Sequence, residues 1–221
     1  MFLDVRSTSA HGPSSGHISL PKCLHMPRFS RIATLTTTLL VAASPAVAAT
    51  TAHAASARSC AGADLPATAA APSALRSAVL CLINQQRTSR HLPRLTESHR
   101  LDRSAQSWTN QMVSSDTFAH IAGASSPMSR VTNAGYNWMA VGENIATGFA
   151  TPRQVVSAWM ASPGHCQNIL DPQYRNVGTG VNANPVAGSA NTSATWTQDF
   201  GLVMGNTPPS NNWGPSRSVC R

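Results

Sequence analysis

Apolar residues recur every three to four positions in the first half of the folded region, which is the spacing of helices with one buried face. The pattern predicts a helix from Ser73 to about Arg90, a second from about Ser98 to Ser115, and a short one over residues 127 to 133 that ends before Gly135. The two longer stripes consist of Leu75, Val79, Leu82, Ile83 and Gln86, and of Leu101, Ala105, Trp108 and Met112.

Three later segments have the character of strands. They cover residues 138 to 146, 175 to 184 and 193 to 203, and the last two are separated by a turn-rich stretch. Helices come first, and strands and helices then follow without regular βαβ alternation. This order predicts the α+β class.

Two further helix starts stand between the first and second of these strands. Thr151, Pro152 and Gln154 have the spacing of a capping box with proline at the first helical position. Ser162 and Pro163 repeat the start signal, which places His165 in the first turn of a second short helix.

The first strand contains one residue that does not fit its face. Its odd positions Met139, Val141, Ile145 and Thr147 would share one side, and Glu143 lies in their middle. An unpaired buried carboxylate costs several kcal/mol, roughly the stability of a whole domain. Glu143 must therefore be exposed, protonated or paired.

The N-terminal region has the pattern of a secretory signal peptide. Residues 26 to 54 contain two arginines, a short apolar run and small-residue cleavage motifs that end at Ala48 and Ala54. We expect residues 1 to 25 to be an upstream extension or a misread start, with Met26 the better-placed initiator. The apolar run is too short and too interrupted to span a bilayer, so we expect a secreted, extracellular protein.

The mature chain suits one domain. We expect an Ala/Pro-rich tether at 55–72, the folded domain at 73–205 and an irregular tail at 206–221. From residue 55 onward there are 12 arginines, no lysine and 7 acidic residues, a formal net charge of +5.

One basic cluster stands out in the mature chain. It comprises Arg87, Arg90, Arg94, Arg100 and Arg103. The cluster lacks interleaved aromatics and glycines, so a solvated face is favoured over an anion site, and no nucleic-acid partner is expected.

Four cysteines remain after removal of the leader, and an even number in an oxidising compartment favours disulfides. We favour Cys60 with Cys81 and Cys166 with Cys220, because each bridge would tie an irregular terminal segment to a helix. Two alternatives remain: a zinc site, which lacks a close cysteine pair, and a nucleophilic Cys166 beside His165, which needs a free thiol.

None of the common enzyme signatures occurs, whether nucleophile elbow, zinc-protease motif, Walker loop or dinucleotide fingerprint. What remains is a set of unusually placed polar residues: His120, Glu143, His165 and Gln198. Taken singly, each is more often structural than functional.

Together with their neighbours these residues resemble a known family. The segments, in order, are "CLINQQRTSRHLPRLT", "FAH", "AGYNWMAVGENIATG", "VVSAWMASPGHCQNIL", "NVGTGV" and "TWTQDFG". Over residues 76 to 202 they resemble the bacterial branch of the CAP superfamily, which includes cysteine-rich secretory proteins, antigen 5 and plant pathogenesis-related proteins. The resemblance implies the SCP-domain fold, an α-β-α sandwich with a central antiparallel sheet between helical layers and a surface cleft.

The resemblance also implies a cleft lined by two histidines and two glutamates. His120 and Glu143 match the first of each. Ser162 stands at the place of the second acid and Thr195 at that of the second histidine, whereas the bacterial branch shows the histidine of "SPGH", here His165. The expected cleft residues are thus His120, Glu143, His165 and Gln198.

Two imidazoles and a carboxylate could hold Zn²⁺ with an open fourth position, so His120, Glu143 and His165 are the expected ligands of a zinc ion that the fold does not require. The alternative is a metal-free hydrogen-bond cluster. For function we expect a monomeric binding module for a cell-wall polymer, a lipid or a protein. A metal-dependent hydrolase is the competing hypothesis.

Overall fold

The computed structural model describes residues 59–186, 193–206 and 220. The predicted signal peptide at residues 26 to 54, the upstream residues 1 to 25 and most of the predicted tail lie outside the described residues. The elements in chain order are α1 (Pro72–Thr88), β1 (Thr96–Glu97), α2 (His99–Ser114), α3 (Pro127–Asn133), β2 (Trp138–Thr147), α4 (Pro152–Ala161), α5 (Pro163–Leu170), β3 (Asn176–Asn182) and β4 (Thr195–Val203).

The strands form one sheet in the order β1-β3-β4-β2. The β2–β4 and β3–β4 pairs are antiparallel, as predicted. The short β1 was not predicted, because two residues carry no detectable period; it pairs in parallel with β3, Thr96 opposite Asn176. Strand β2 lies at an edge of the sheet, so loops and helices can approach its outer side.

Helices cover both faces of the sheet, which confirms the predicted α+β sandwich. On one face a large apolar cluster joins α1, α4 and α5 to the sheet; its members include Val79, Ile83, Trp159, Ile169, Trp196 and Phe200. On the other face α2 packs on β3 and β4 and α3 packs on β2, with two smaller clusters that include Trp108, Met112 and Ile145, and Leu101, Val131 and Tyr136. Within the described part of the chain, no helix combines the length and apolar character that crossing a bilayer requires.

Both favoured disulfides are present. Cys60 is bonded to Cys81 in α1, and Cys166 in α5 is bonded to Cys220. Each bridge joins a segment outside the regular elements to a helix, which was the reason for preferring this pairing. Neither cysteine ligation of zinc nor a thiol nucleophile at Cys166 is compatible with these bonds.

One member of the predicted solvated basic cluster is instead buried. Arg87 is 0% exposed, and its guanidinium donates to the carbonyl oxygens of Pro93, Ile169 and Asp171 at 2.7 to 2.9 Å. Burial, with the nearby charge of Arg175, lowers the pKa of Arg87 to about 10, so it stays charged at neutral pH. The sequence pattern grouped it with surface arginines because it lies near them in the chain.

Candidate functional site

Glu143 projects from β2 toward the face covered by α2 and α3, and it is paired. Its side chain is 1% exposed. Oε1 lies 2.8 Å from Nδ1 of His120, and Oε2 accepts a hydrogen bond from Nη2 of Arg130 at 2.5 Å. Of the three states that the sequence left open for Glu143, the structure shows the paired one.

Arg130 is the cation that stabilises this carboxylate. It lies in α3, a short helix that starts with a reciprocal capping box between Ser126 and Ser129. The Arg130 side chain is 8% exposed, and its guanidinium carbon lies 3.8 Å from the ring centroid of Trp108. The indole face and the carboxylate together compensate the buried positive charge.

The loop that carries His120 is held by the same two residues. Trp108 donates its indole N–H to the carbonyl oxygen of Ala119 at 3.1 Å, and Arg130 donates to the carbonyl oxygen of His120 at 3.1 Å. The His120 side chain nevertheless remains 49% exposed. Its backbone is therefore fixed while one edge of its ring faces solvent.

The tautomer of a neutral His120 follows from its partner. Glu143 is ion-paired with Arg130, so its oxygens act as acceptors only. Nδ1 must therefore carry the proton that is donated to Oε1. This leaves Nε2 of His120 as the ring nitrogen available to a ligand.

A second carboxyl group, which the sequence did not single out, lies beside Glu143. Asp199 of β4 is directly opposite Glu143 in the β2–β4 pairing and is 0% exposed. Among the described residues neither of its oxygens has a hydrogen-bond donor at bonding geometry. Burial first, and then the negative charge of Glu143, raise the pKa of Asp199 well above its ordinary value. The protonated form of Asp199 is therefore favoured relative to that of an exposed aspartate.

His165 approaches from α5. Its Nδ1 lies 2.8 Å from Oγ of Ser162, so the hydroxyl of this N-cap residue contacts the imidazole instead of capping the helix. Burial, followed by the charge of His120, lowers the pKa of His165. The lowered pKa favours the neutral imidazole of His165 at neutral pH.

Amide side chains connect the two halves of the site. Asn168 of α5 donates to the carbonyl oxygen of Glu143 at 3.0 Å and to Oδ1 of Asn144 at 2.9 Å. Asn144 in turn donates to the carbonyl oxygen of His165 at 3.2 Å. Helix α5 is therefore fastened to the outer side of β2, and this fastening positions His165.

Gln198 lies deeper than expected for a cleft residue. It is 0% exposed, and its Oε1 accepts a 3.4 Å hydrogen bond from Asn144. It stands opposite Asn144 in the sheet, on the face away from Glu143. Gln198 therefore helps to position the Asn144 side chain and does not line the cleft.

The predicted zinc site requires three ligand atoms around one point. Among the described residues, no group of three or more His, Cys, Asp and Glu side chains is arranged to hold a metal ion. Both oxygens of Glu143 face other side chains, and one of these is the guanidinium of Arg130, which repels a cation. The residues as arranged do not fit Zn²⁺. Zinc binding at His120, Glu143 and His165 therefore stays a hypothesis, which titration of the purified protein with zinc tests.

Arg130 and Asp199 were the residues that sequence reasoning missed. Proximity in the chain did not identify Arg130, because it stands 13 residues before Glu143 and Arg153, which follows Glu143, is nearer in the sequence. Asp199 had a weak signal: it alternates with Gln198 on a strand, but its position opposite Glu143 depends on a register that the sequence does not specify.

Comparison with known proteins shows which family the chain belongs to. The model of the cysteine-rich secretory protein family, CAP, matches residues 80–200. An uncharacterized protein of Bacillus subtilis (strain 168), YkwD, is 33% identical over 129 residues, which cover 58% of this chain and 47% of the relative. The chain thus spans about half the length of that relative.

Solved structures share the fold. An extracellular protein from Bacillus anthracis that contains an SCP domain has a TM-score of 0.52 at 21% identity, covering 59% of this chain and 41% of that chain. An outer surface protein from Borrelia burgdorferi has a TM-score of 0.51 at 19% identity, and the match covers 57% of this chain and 90% of that chain. With the family match over more than half of its length, the chain belongs to the cysteine-rich secretory protein (CAP) family.

Proposed function

We propose that the protein is a secreted binding module whose ligand docks at the exposed edge of His120. The state of Glu143 carries this proposal: its side chain is 1% exposed and both oxygens are engaged, by His120 and by Arg130. A carboxylate held in this way is poorly placed to attack a substrate or to activate water. It orients the imidazole instead.

The surroundings of His120 indicate the kind of ligand. Phe118 is 47% exposed and Ile121 is 50% exposed, so two large apolar side chains flank the histidine in the chain. Nε2 of His120 offers one hydrogen-bonding position between them. This combination suits an amphipathic ligand in which a polar group adjoins an apolar part, found among lipids, wall-derived peptides and protein segments.

Two observations support an extracellular location. The chain has two disulfide bonds, which persist in oxidising compartments. Two structural relatives are described as an extracellular protein and an outer surface protein. We propose secretion and a monomeric state, which N-terminal sequencing of the culture-medium protein and light scattering test.

A metal-dependent hydrolase is the competing function, and no observation on the described residues favours it. It would need Zn²⁺ at His120, Glu143 and His165, where Arg130 already compensates the carboxylate. Metal analysis of the purified protein, followed by zinc titration of the metal-free form, tests it directly.

The binding proposal is tested by calorimetry with two probes, soluble peptidoglycan fragments and vesicles of phosphatidylglycerol. We expect one probe to bind, and His120→Ala and Phe118→Ser each to weaken it by about tenfold, equivalent to 1.4 kcal/mol. Leu65→Ser is the matched control, because Leu65 is 45% exposed and lies in a different segment. Equal affinity of all three variants and the wild type would refute docking at His120, as would failure of both probes to bind.

A further inference from the structure

A second surface of the domain carries positive charge that no acidic side chain among the described residues pairs with. Arg94 precedes β1, and Arg100 and Arg103 lie in the first turns of α2; all three are exposed. The ion pairs of the described residues involve Arg76, Arg130 and Arg153 but none of these three. We call Arg94, Arg100 and Arg103 the arginine surface.

Two members of this surface lie together in space, and the third is near them in the chain. Arg100 and Arg103 are three residues apart on one helix, so their side chains are neighbours. Both reach the turn after α3: Arg103 donates to the carbonyl oxygen of Ala134 at 3.0 Å, and Nε of Arg100 lies 4.0 Å from where a Cβ of Gly135 would be. Arg94 is six residues before Arg100, which limits their Cα separation to about 20 Å.

The acidic residues of the same segment are engaged elsewhere. Glu97 is 3.7 Å from the guanidinium of Arg76. Asp102 is buried and accepts a hydrogen bond from the backbone N–H of Thr179 at 2.9 Å. The positive charge of the arginine surface is therefore not cancelled locally.

Stability of α2 does not explain this placement. Arg100 lies in the first turn of the helix, where the helix dipole disfavours positive charge. The side chain of the N-cap residue Ser98 forms no capping hydrogen bond. The positive charge of Arg100 thus does not stabilise α2.

We propose that the arginine surface binds a soluble polyanion that carries repeated phosphate groups. Guanidinium groups pair with phosphate oxygens in a planar, two-pronged geometry, which makes arginine better suited to phosphates than lysine. Three separate arginines can each contact a different phosphate of a polymer, which a single small anion does not offer.

Two other anionic partners fit less well. The large apolar side chains that are exposed among the described residues are Leu65, Phe118, Ile121, Met139 and Met204, and none lies between residues 90 and 103 to enter a bilayer. That segment also contains no Phe, Tyr or Trp for nucleic-acid bases to stack on, and its only aromatic rings are the imidazoles of His91 and His99. These features favour a phosphate polymer in solution.

The test uses long-chain inorganic polyphosphate and the full mature protein, with affinity measured by calorimetry at several salt concentrations. The triple variant Arg94→Gln, Arg100→Gln, Arg103→Gln should bind at least about tenfold more weakly, and the slope of log affinity against log salt should fall by about 3. Arg153→Gln is the control, because Arg153 is paired with Asp64 and should leave affinity and slope unchanged. His120→Ala should also bind like the wild type, so this proposal and the binding function at His120 fail separately.

Several results would overturn the proposal. Wild-type affinity and slope in the triple variant would show that the arginine surface is not used. Failure of the wild type to bind polyphosphate would refute the proposal. If the triple variant then binds phosphatidylglycerol vesicles or single-stranded DNA more weakly than the wild type does, the surface serves a membrane or a nucleic acid instead. If the triple variant does not fold, Arg94→Gln alone decides, with an expected slope decrease of about 1.

Discussion

At the scale of single residues, the Glu143–Arg130 pair determines the character of the site. Both side chains are almost fully buried. The second oxygen of Glu143 contacts His120, and the guanidinium of Arg130 lies against the ring of Trp108, whereas Nε of Arg130 has no hydrogen-bond partner among the described residues. In a low-dielectric setting such a pair tolerates the loss of neither member. The stability of the domain and the orientation of His120 therefore depend on the same contact.

Arg130→Met should lower the free energy of unfolding by about 3 to 5 kcal/mol, because Glu143 would remain buried without its cation. Urea denaturation measures the change. Arg153→Met is the control, since the Arg153–Asp64 pair is exposed and its removal should leave the urea midpoint nearly unchanged. If Arg130→Met unfolds at the wild-type midpoint, the buried pair does not hold the site together.

Asp199 gives the stability of the domain a dependence on pH. Its pKa is raised in the folded state, so its contribution is fully present below the ordinary pKa of an aspartate, near 3.8, and is lost as the pH rises toward the raised value. Asp199→Asn keeps the shape of the protonated form and cannot ionise. The free energy of unfolding of Asp199→Asn minus that of the wild type should therefore increase with rising pH, by at most about 1.4 kcal/mol per pH unit. A difference that stays constant from pH 4 to pH 9 would mean that Asp199 is not the protonated acid.

At the scale of elements, the close packing of α2 on β3 depends on two glycines. A Cβ at Gly178 would overlap the backbone of Leu101 and Asp102, and one at Gly180 would overlap the backbone of Ala105. The sequence segment "GTG" is therefore a contact surface for a helix. This contact places Trp108, further along α2, over Arg130.

Gly178→Ala should destabilise the domain by about 1 to 3 kcal/mol, because α2 must move to admit the added methyl group. Gly164→Ala is the matched control: Gly164 lies in α5, and a Cβ there would meet nothing within 4 Å. Thermal unfolding of the two variants tests the difference. Equal melting temperatures would show that α2 does not rest on Gly178.

Element prediction succeeded where the period was long and the caps were clear. Helix α3 was predicted with its observed bounds, and the longer helices to within two residues at each end. The capping box at Thr151 was half right: Thr151 accepts from the Gln154 N–H, but the Gln154 side chain accepts from Ala150. The partner of the Gln154 side chain depends on the backbone conformation just before α4. The spacing of Thr151 and Gln154 in the sequence does not determine that conformation.

At the scale of the whole molecule, two disulfides fasten segments outside the sheet. The loops they close are 21 and 54 residues long. In the chain-entropy model these loops correspond to about 3 and about 4 kcal/mol of stabilisation. Replacing Cys166 and Cys220 by alanine should therefore lower the melting temperature more than replacing Cys60 and Cys81. The opposite order, measured by calorimetry, would contradict the loop-length argument.

Motifs located only part of the site. His120, Glu143 and His165 could be named from short segments because each lies within a recognisable pattern. Arg130 and Asp199 could not, since their proximity to Glu143 results from the packing of α3 and the register of β4. Burial of Glu143 could be inferred to require a partner, but the identity of that partner was settled only by the fold.

We propose that Glu143 orients His120 and does not act as a metal ligand. Nitrogen-15 NMR of the imidazole rings, recorded above pH 8 with and without Zn²⁺, tests this most directly. We predict that neutral His120 carries its proton on Nδ1, that Glu143→Gln weakens this preference, and that one equivalent of Zn²⁺ leaves the signals of His120 and His165 unchanged. A proton on Nε2 of His120 would show that Glu143 does not orient the ring. A joint shift of the His120 and His165 signals that saturates at one Zn²⁺ per chain, and that is lost in Glu143→Gln, would show that the three residues bind zinc.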